Sequence, residues 1–186
     1  MIDGIVRWPS KDSLDDVLED ARKVTWSTLS GAYGPSDGSD HYRDIPAMLS
    51  ALARLDDTES NRWGDAYDDA FLAHVWHQYA IYPVTPVVAG FLIRIASLRS
   101  TTSIDAAKQI ALGLQWLAES ASIFRDRVDS LERSLGDRTC AAFIENRAAI
   151  QTWMRTMIES YARNIARFIP EIATDWTSDT SDATSA

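Results

Sequence analysis

Two histidines, His74 and His77, stand three residues apart in a stretch with helical patterning. That spacing can aim two imidazoles at one metal ion from a single helix face. Nothing completes such a site: no Glu-x-x-His or His-Glu-x-x-His grouping flanks them, and the remaining histidine, His41, lies in a turn-rich segment. The residues therefore predict no metal, with His77 hydrogen-bonded to the loop that follows it. Asp65, Asp68 and Asp69 form a second group of chemical interest. Carboxylates serve as general acids or bases when burial and neighbours shift their pKa values, whereas the apolar periodicity around these three turns them towards solvent. The single cysteine, Cys140, excludes an internal disulfide and reads as a small buried apolar residue rather than a reactive thiol. No catalytic residue and no cofactor motif emerges, and the chain is not expected to be an enzyme.

The carboxylates sit on the outer face of a helix expected from about Glu59 to His77. Its buried stripe is Trp63, Ala66, Tyr67, Ala70, Phe71 and Val75. The outer face carries Arg62, Asp65, Asp68, Asp69, Leu72 and Trp76. Acidic residues around an exposed Leu and Trp have the make-up of an interface anchor; Trp76 packing on the loop 78–83 is the alternative. Asp65, Asp68, Asp69, Leu72, Trp76 and His77 are thus the candidate partner-binding residues. Leu112 and Trp116 form a similar pair off the buried stripe of a later helix, marking either an interface or a second helical layer.

The rest of the chain must hold that face in place. At 186 residues and 46% hydrophobic, it is long enough for one well-buried domain. Few glycines and no long alternating β-branched runs predict an all-α fold of about six to eight helices, covering residues 1–176. A first helix is capped at Ser13, and a second starts at Asp44-Ile45-Pro46. Gly31 to Asp40 reads as a connecting loop. Thr85-Pro86 opens a fourth helix, with Thr85 as its cap, whose apolar surface is too wide for solvent and places it between neighbours. A fifth helix follows Ser103, and another is expected over 121–135 with Phe124, Val128, Leu131 and Leu135 inward. From Arg138 to Phe168, Phe143, Ile150 and Met157 repeat every seven residues beside Met154, Tyr161 and Phe168. That pattern predicts a long C-terminal helix or helix pair. Residues 177–186 hold nothing to bury and are expected to form a disordered polar tail.

Charge narrows the partner. The net charge of −9 opposes nucleic-acid binding, and only 138–169 is basic, with five arginines against two glutamates. An acidic body favours a basic protein partner. The opening residues lack the apolar core of a secretory signal. The longest apolar run, near 86–98, is broken by Gly90 and Arg94 and is too short for a membrane span. A cytoplasmic location is the expectation.

Three segments occur in order: Trp26-x-x-Leu29 with Ala32-Tyr33-Gly34, then Asp44-Ile-Pro-Ala-Met-Leu-x-Ala-Leu52, then Val75-Trp-His-Gln78 with Tyr82, Thr85-Pro86 and Phe91-Leu92. Together they resemble the N-terminal part of bacterial HEAT-repeat-like proteins, over roughly residues 24–96. Tyr79 departs from the small residue usual after Gln78, and the loop 35–43 is longer. The resemblance implies stacked antiparallel helix pairs with an interaction surface. It further implies an immunity protein of a polymorphic or contact-dependent toxin system, binding a basic toxin domain, with a helical-repeat scaffold or adaptor as the alternative.

Overall fold

The computed structural model describes residues 13–54 and 60–173 and is all-α apart from two small hairpins. Its elements are α1 (Leu14–Arg22), a 3₁₀ turn (Trp26–Thr28), β1 (Ser30–Gly31), β2 (Gly34–Pro35), α2 (Ile45–Arg54), α3 (Ser60–Asp65) and a π-helix (Ala66–Val75). β3 (Trp76–His77), β4 (Ala80–Ile81), α4 (Thr85–Arg99), α5 (Ile104–Arg125), α6 (Ser130–Glu145), α7 (Arg147–Trp153), α8 (Glu159–Phe168) and a final 3₁₀ turn (Pro170–Ile172) follow. None of the described helices is long and apolar enough to cross a membrane. The tail expected over 177–186 lies outside the described residues.

Helix α4 is the axis of the packing. Every residue of it except Leu98 is buried, and α1, α2, α5, α6 and α7 all touch it. The wide apolar surface read from Val87, Val88, Phe91, Leu92 and Ile95 has this cause: no face is left for solvent. Two arginines of α4, Arg94 and Arg99, sit inside. Arg94, 1% exposed, donates to the Asp20 carboxylate of α1 at 3.0 Å and lies over the Phe91 ring at 5.7 Å. A buried guanidinium without such partners would be strongly destabilising, so this contact fixes α1 against α4. A capping box between Ser13 and Asp16 starts α1, each backbone N–H bonded to the other's side chain.

Several expected boundaries shift. Residues 121–135 are no separate helix: α5 runs on to Arg125, and α6 begins at Ser130 behind an Asp129 cap. Phe124 and Leu135 are buried, but Val128 falls in the connection and Leu131 on the outer side of α6, 94% and 69% exposed. The C-terminal pattern is cut into α6, α7 and α8. Turns at Asn146 and 154–158 absorb the phase, so Phe143 and Ile150 remain buried while Met157 faces out. Trp153, outside the seven-residue rows, is wholly buried and donates its indole N–H to Ser97 Oγ of α4 at 2.6 Å.

Removing the ring of Phe91, which is 1% exposed and packs against Trp26 at 5.9 Å between centroids, leaves a cavity in this axis. Phe91→Ala is expected to lower unfolding stability by about 3–5 kcal/mol, read from the chemical denaturation midpoint at unchanged slope.

Candidate functional site

The third helix is not α-helical along its length. It changes after Asp65 into a ten-residue π-helix, closed at its end by Trp76 N–H donating to Phe71 C=O five residues back. A wider turn advances each residue by less than an α-helix does, so a face drawn at the α period slides round as the chain proceeds. Asp65 and Asp68 are exposed and Asp69 is half-buried, facing outward as expected. Leu72 and Trp76 are turned in. Both are half-buried and packed against the core, so they do not share an open face with the aspartates.

Trp76 lies in β3 rather than in a helix, and it packs on the loop 78–83 through Tyr79, the alternative read from sequence, as well as on α5. Its ring stacks on Trp116 of α5, 5.3 Å between centroids and 17° from parallel, and its indole N–H donates to Ser120 Oγ at 2.9 Å. Tyr79 meets it edge-on at 5.4 Å. The two tryptophans that fall off their stripes in the sequence are therefore partners, and they fasten the β3–β4 hairpin to α5.

The hairpins follow from turn chemistry. β1 pairs with β2 across Ala32-Tyr33, and β3 pairs with β4 across Gln78-Tyr79. The latter two residues carry φ of 50° and 64°, the left-handed pair of a type I′ turn, which Gly or Asn adopts more readily. The segment expected to be a plain connector, 31–40, thus contains a strand pair.

His74 joins the two hairpins. It is completely buried, and its own C=O accepts from Ala32 N–H at 2.9 Å. Its ring Nδ1 accepts from Tyr33 N–H at 3.4 Å, which leaves the proton on Nε2, 3.0 Å from Ser36 Oγ as acceptor. Burial pushes the imidazole below its ordinary pKa, as does Arg43, against an opposing pull from Asp40 and Asp37. Gly31 lies so close that a Cβ there would stand 2.4 Å from Nε2 and 2.5 Å from the His74 carbonyl oxygen. The hydrogen-bonded histidine is therefore His74. The ring of His77 instead lies edge-on to Tyr33 at 6.0 Å. The two imidazoles are not brought to a shared ligand site, and among the described residues no group of three metal-ligating side chains occurs.

Thr85 completes the frame in a role other than capping. Val84 occupies the cap position of α4, while the buried Thr85 hydroxyl donates to Val75 C=O at 2.6 Å and accepts from Tyr82 N–H at 2.9 Å. It stitches the end of the π-helix to the segment leaving β4. Val84 N–H donates to Ser30 C=O at 3.1 Å, binding that segment to β1 as well.

What this frame presents outward is aromatic. Tyr33 and Tyr79 are 54% and 60% exposed, and Tyr42 is 37% exposed. Tyr33 lies 6.0 Å from Tyr42, and His41 packs on Tyr42 at 3.9 Å. His41 Nε2 is 3.6 Å from the Asp69 carboxylate, which brings the acidic face of the π-helix to these rings. Tyr33 and Tyr42 carry no periodic signal, and the sequence gives no cue that they meet. Cys140 is buried, and burial raises its thiol to about 11, so it is protonated and unreactive at neutral pH.

Gly31→Ala is expected to part the hairpins from His74, because the clash is with backbone as well as ring. A loss of about 3 kcal/mol or more is expected in chemical denaturation, beyond that of ordinary surface changes. The lowered pKa of His74 also fixes a pH dependence. The unfolded imidazole titrates near its ordinary value of 6.5 and binds protons that the folded one refuses. Stability should be level above about pH 7 and decline as pH falls below about 6.5 towards the depressed folded value. Denaturation midpoints measured from about pH 8 to 5 check this, and a flat profile contradicts it.

No protein-family model, no curated protein and no solved structure matches the chain.

Proposed function

We propose that this chain is a non-enzymatic protein-binding protein, and that it acts as an immunity protein neutralising a cognate bacterial toxin by direct contact. The observation that carries the reading is a set of exposed tyrosine rings on a hydrogen-bonded hairpin frame, beside an acidic helix face. Binding surfaces concentrate energy in aromatic side chains whose backbone is already fixed, because little freedom is lost on contact. Tyr33 meets that condition through the Ala32 and Tyr33 N–H bonds to His74. Asp65, Asp68 and Asp69 provide the charge that hastens encounter with a basic toxin domain. The residue set expected from sequence is amended accordingly: the aspartates and His77 stay in it, Tyr33, Tyr42 and Tyr79 join it, and Leu72 and Trp76 support from behind. The HEAT-like resemblance and a cytoplasmic location accord with such a role.

A scaffold in a multiprotein complex is the second reading, favoured by one observation. The α5–α6 corner exposes Ile123, Val128 and Leu131, apolar side chains that the fold itself does not use.

The test is co-purification with the product of the adjacent gene, followed by kinetics. Asp65→Asn, Asp68→Asn and Asp69→Asn together are expected to slow association roughly tenfold at low salt, less at high salt, with thermal stability little changed. Rates equal to wild type at both salt concentrations place the partner on another surface.

A further inference from the structure

The rings of Tyr33, Tyr42, His41 and His77 come from three separate segments and meet without closing on one another. Tyr33 and Tyr42 stand 6.0 Å apart at 46°, and His77 sits edge-on to Tyr33 at 6.0 Å. One face of Tyr33 stacks on the His74 ring, 6.5 Å between centroids and 12° from parallel, and the 54% of Tyr33 that is exposed is what an outside flat or cationic group can meet. The charges around them are acidic on balance, three carboxylates (Asp37, Asp40 and Asp69) against Arg43. Asp69 reaches His41 at 3.6 Å, while Asp40 and Asp37 lie beside Arg43. Arg43, the cation at this place, is already held by Asp40 at 2.8 Å. Elsewhere the fold uses its own arginines on rings, Arg94 over Phe91 and Arg127 over Phe124, whereas no cation of the described residues covers Tyr33 or Tyr42.

We infer that the Tyr33–Tyr42 face is a socket for an arginine side chain of the protein partner; this deepens the protein-binding reading and rests on it. A guanidinium is planar, sheds water more easily than an ammonium, and offers N–H groups at its edge while its face lies on a ring. Placed over Tyr33, its face takes the cation–π contact and its edge points to the carboxylates of Asp69 and Asp40. An apolar occupant would strip those carboxylates of water with no return. An acidic one, including a second copy of this chain at net charge −9, would be repelled. The socket is also prepared in advance. The Tyr33 backbone is fixed by His74 and Gly31, and the ring of Tyr42 is backed by His41.

The probe is the tripeptide acetyl-Gly-Arg-Gly-amide, titrated to millimolar levels into the full chain and followed by the aromatic ring resonances. The same peptide with citrulline in place of arginine keeps the shape and removes the charge. Saturable shifts at Tyr33 and Tyr42, at least tenfold weaker with citrulline, are expected. Tyr33→Phe should retain binding, since the ring is kept, and Tyr33→Leu should abolish it with the amide spectrum of the fold intact. Equal response to both peptides, shifts confined to other residues, or full binding by Tyr33→Leu overturns the socket. The protein-binding reading fails separately. If the adjacent gene product binds while Tyr33→Leu and Tyr42→Leu leave its affinity unchanged, the socket is wrong and that reading stands. If the peptide binds as expected but that protein does not, the socket stands and the toxin assignment falls.

Discussion

The end of the π-helix is the point on which both hairpins depend. Where a helix stops inside a protein, its last carbonyls and the first N–H groups beyond it need partners that water cannot supply. Here the partners are distant in sequence. Ala32 N–H serves the His74 carbonyl, Thr85 hydroxyl serves the Val75 carbonyl, and Trp76 N–H turns back to Phe71. The His74 ring takes Tyr33 N–H and gives its proton to Ser36. The Ala32 bond ties the helix end to the β1–β2 hairpin, the Trp76 bond ties it to β3 and the Thr85 bond to α4, so a shift of either hairpin would leave a buried polar group of the helix end without its partner. The rigidity of Tyr33 on the surface is thus a consequence of polar satisfaction beneath it.

The same end explains why the helix widens. A π-turn lets the chain carry an extra residue in each hydrogen-bonded ring, and it delivers Phe71 and His74 to different neighbours. Phe71 lies on α5 at Gly113, where a Cβ would stand 2.3 Å from the ring. His74 faces β1 at Gly31, with a gap as small. Both sides of the helix therefore press on bare backbone.

The helices were legible in the sequence because burial repeats. Ser13, Asp44 and Ser103 stand where helices begin, and α4 announces its central place through an unbroken apolar surface. What escaped is what does not repeat. Thr85 reads as a cap because threonine before proline starts helices, yet it is the first residue of α4 and its hydroxyl bonds Val75 C=O and Tyr82 N–H. Val128 and Leu131 keep the helical spacing of Phe124 and Leu135, but a connection at 126–129 resets the phase between them. Asp65 and Asp68 are exposed as read from the sequence, since exposure of aspartate needs only that nothing bury it. Leu72 and Trp76 are half-buried against the core, their placing having relied on an α period through a π-helix. Tyr33 and Tyr42 belong to turns, where no period exists, and only the folded chain brings them together.

The β3–β4 turn carries this one step further. Gln78 and Tyr79 both hold left-handed backbone angles, which cost an ordinary L-residue roughly 1–2 kcal/mol each relative to right-handed ones. Glycine or asparagine would remove much of that cost. The tyrosine returns part of the cost through its edge contact with Trp76, of the order of 0.5–1.5 kcal/mol for a favourable aromatic pair. Its ring is nevertheless 60% exposed, so burial supplies little more. A residue held in a strained conformation, with most of its ring in solvent, is poorly explained by stability alone. Packing on α5 accounts for Trp76, stacked on Trp116, but not to the same degree for Tyr79, whose exposed ring is on the protein-binding proposal a further contact residue.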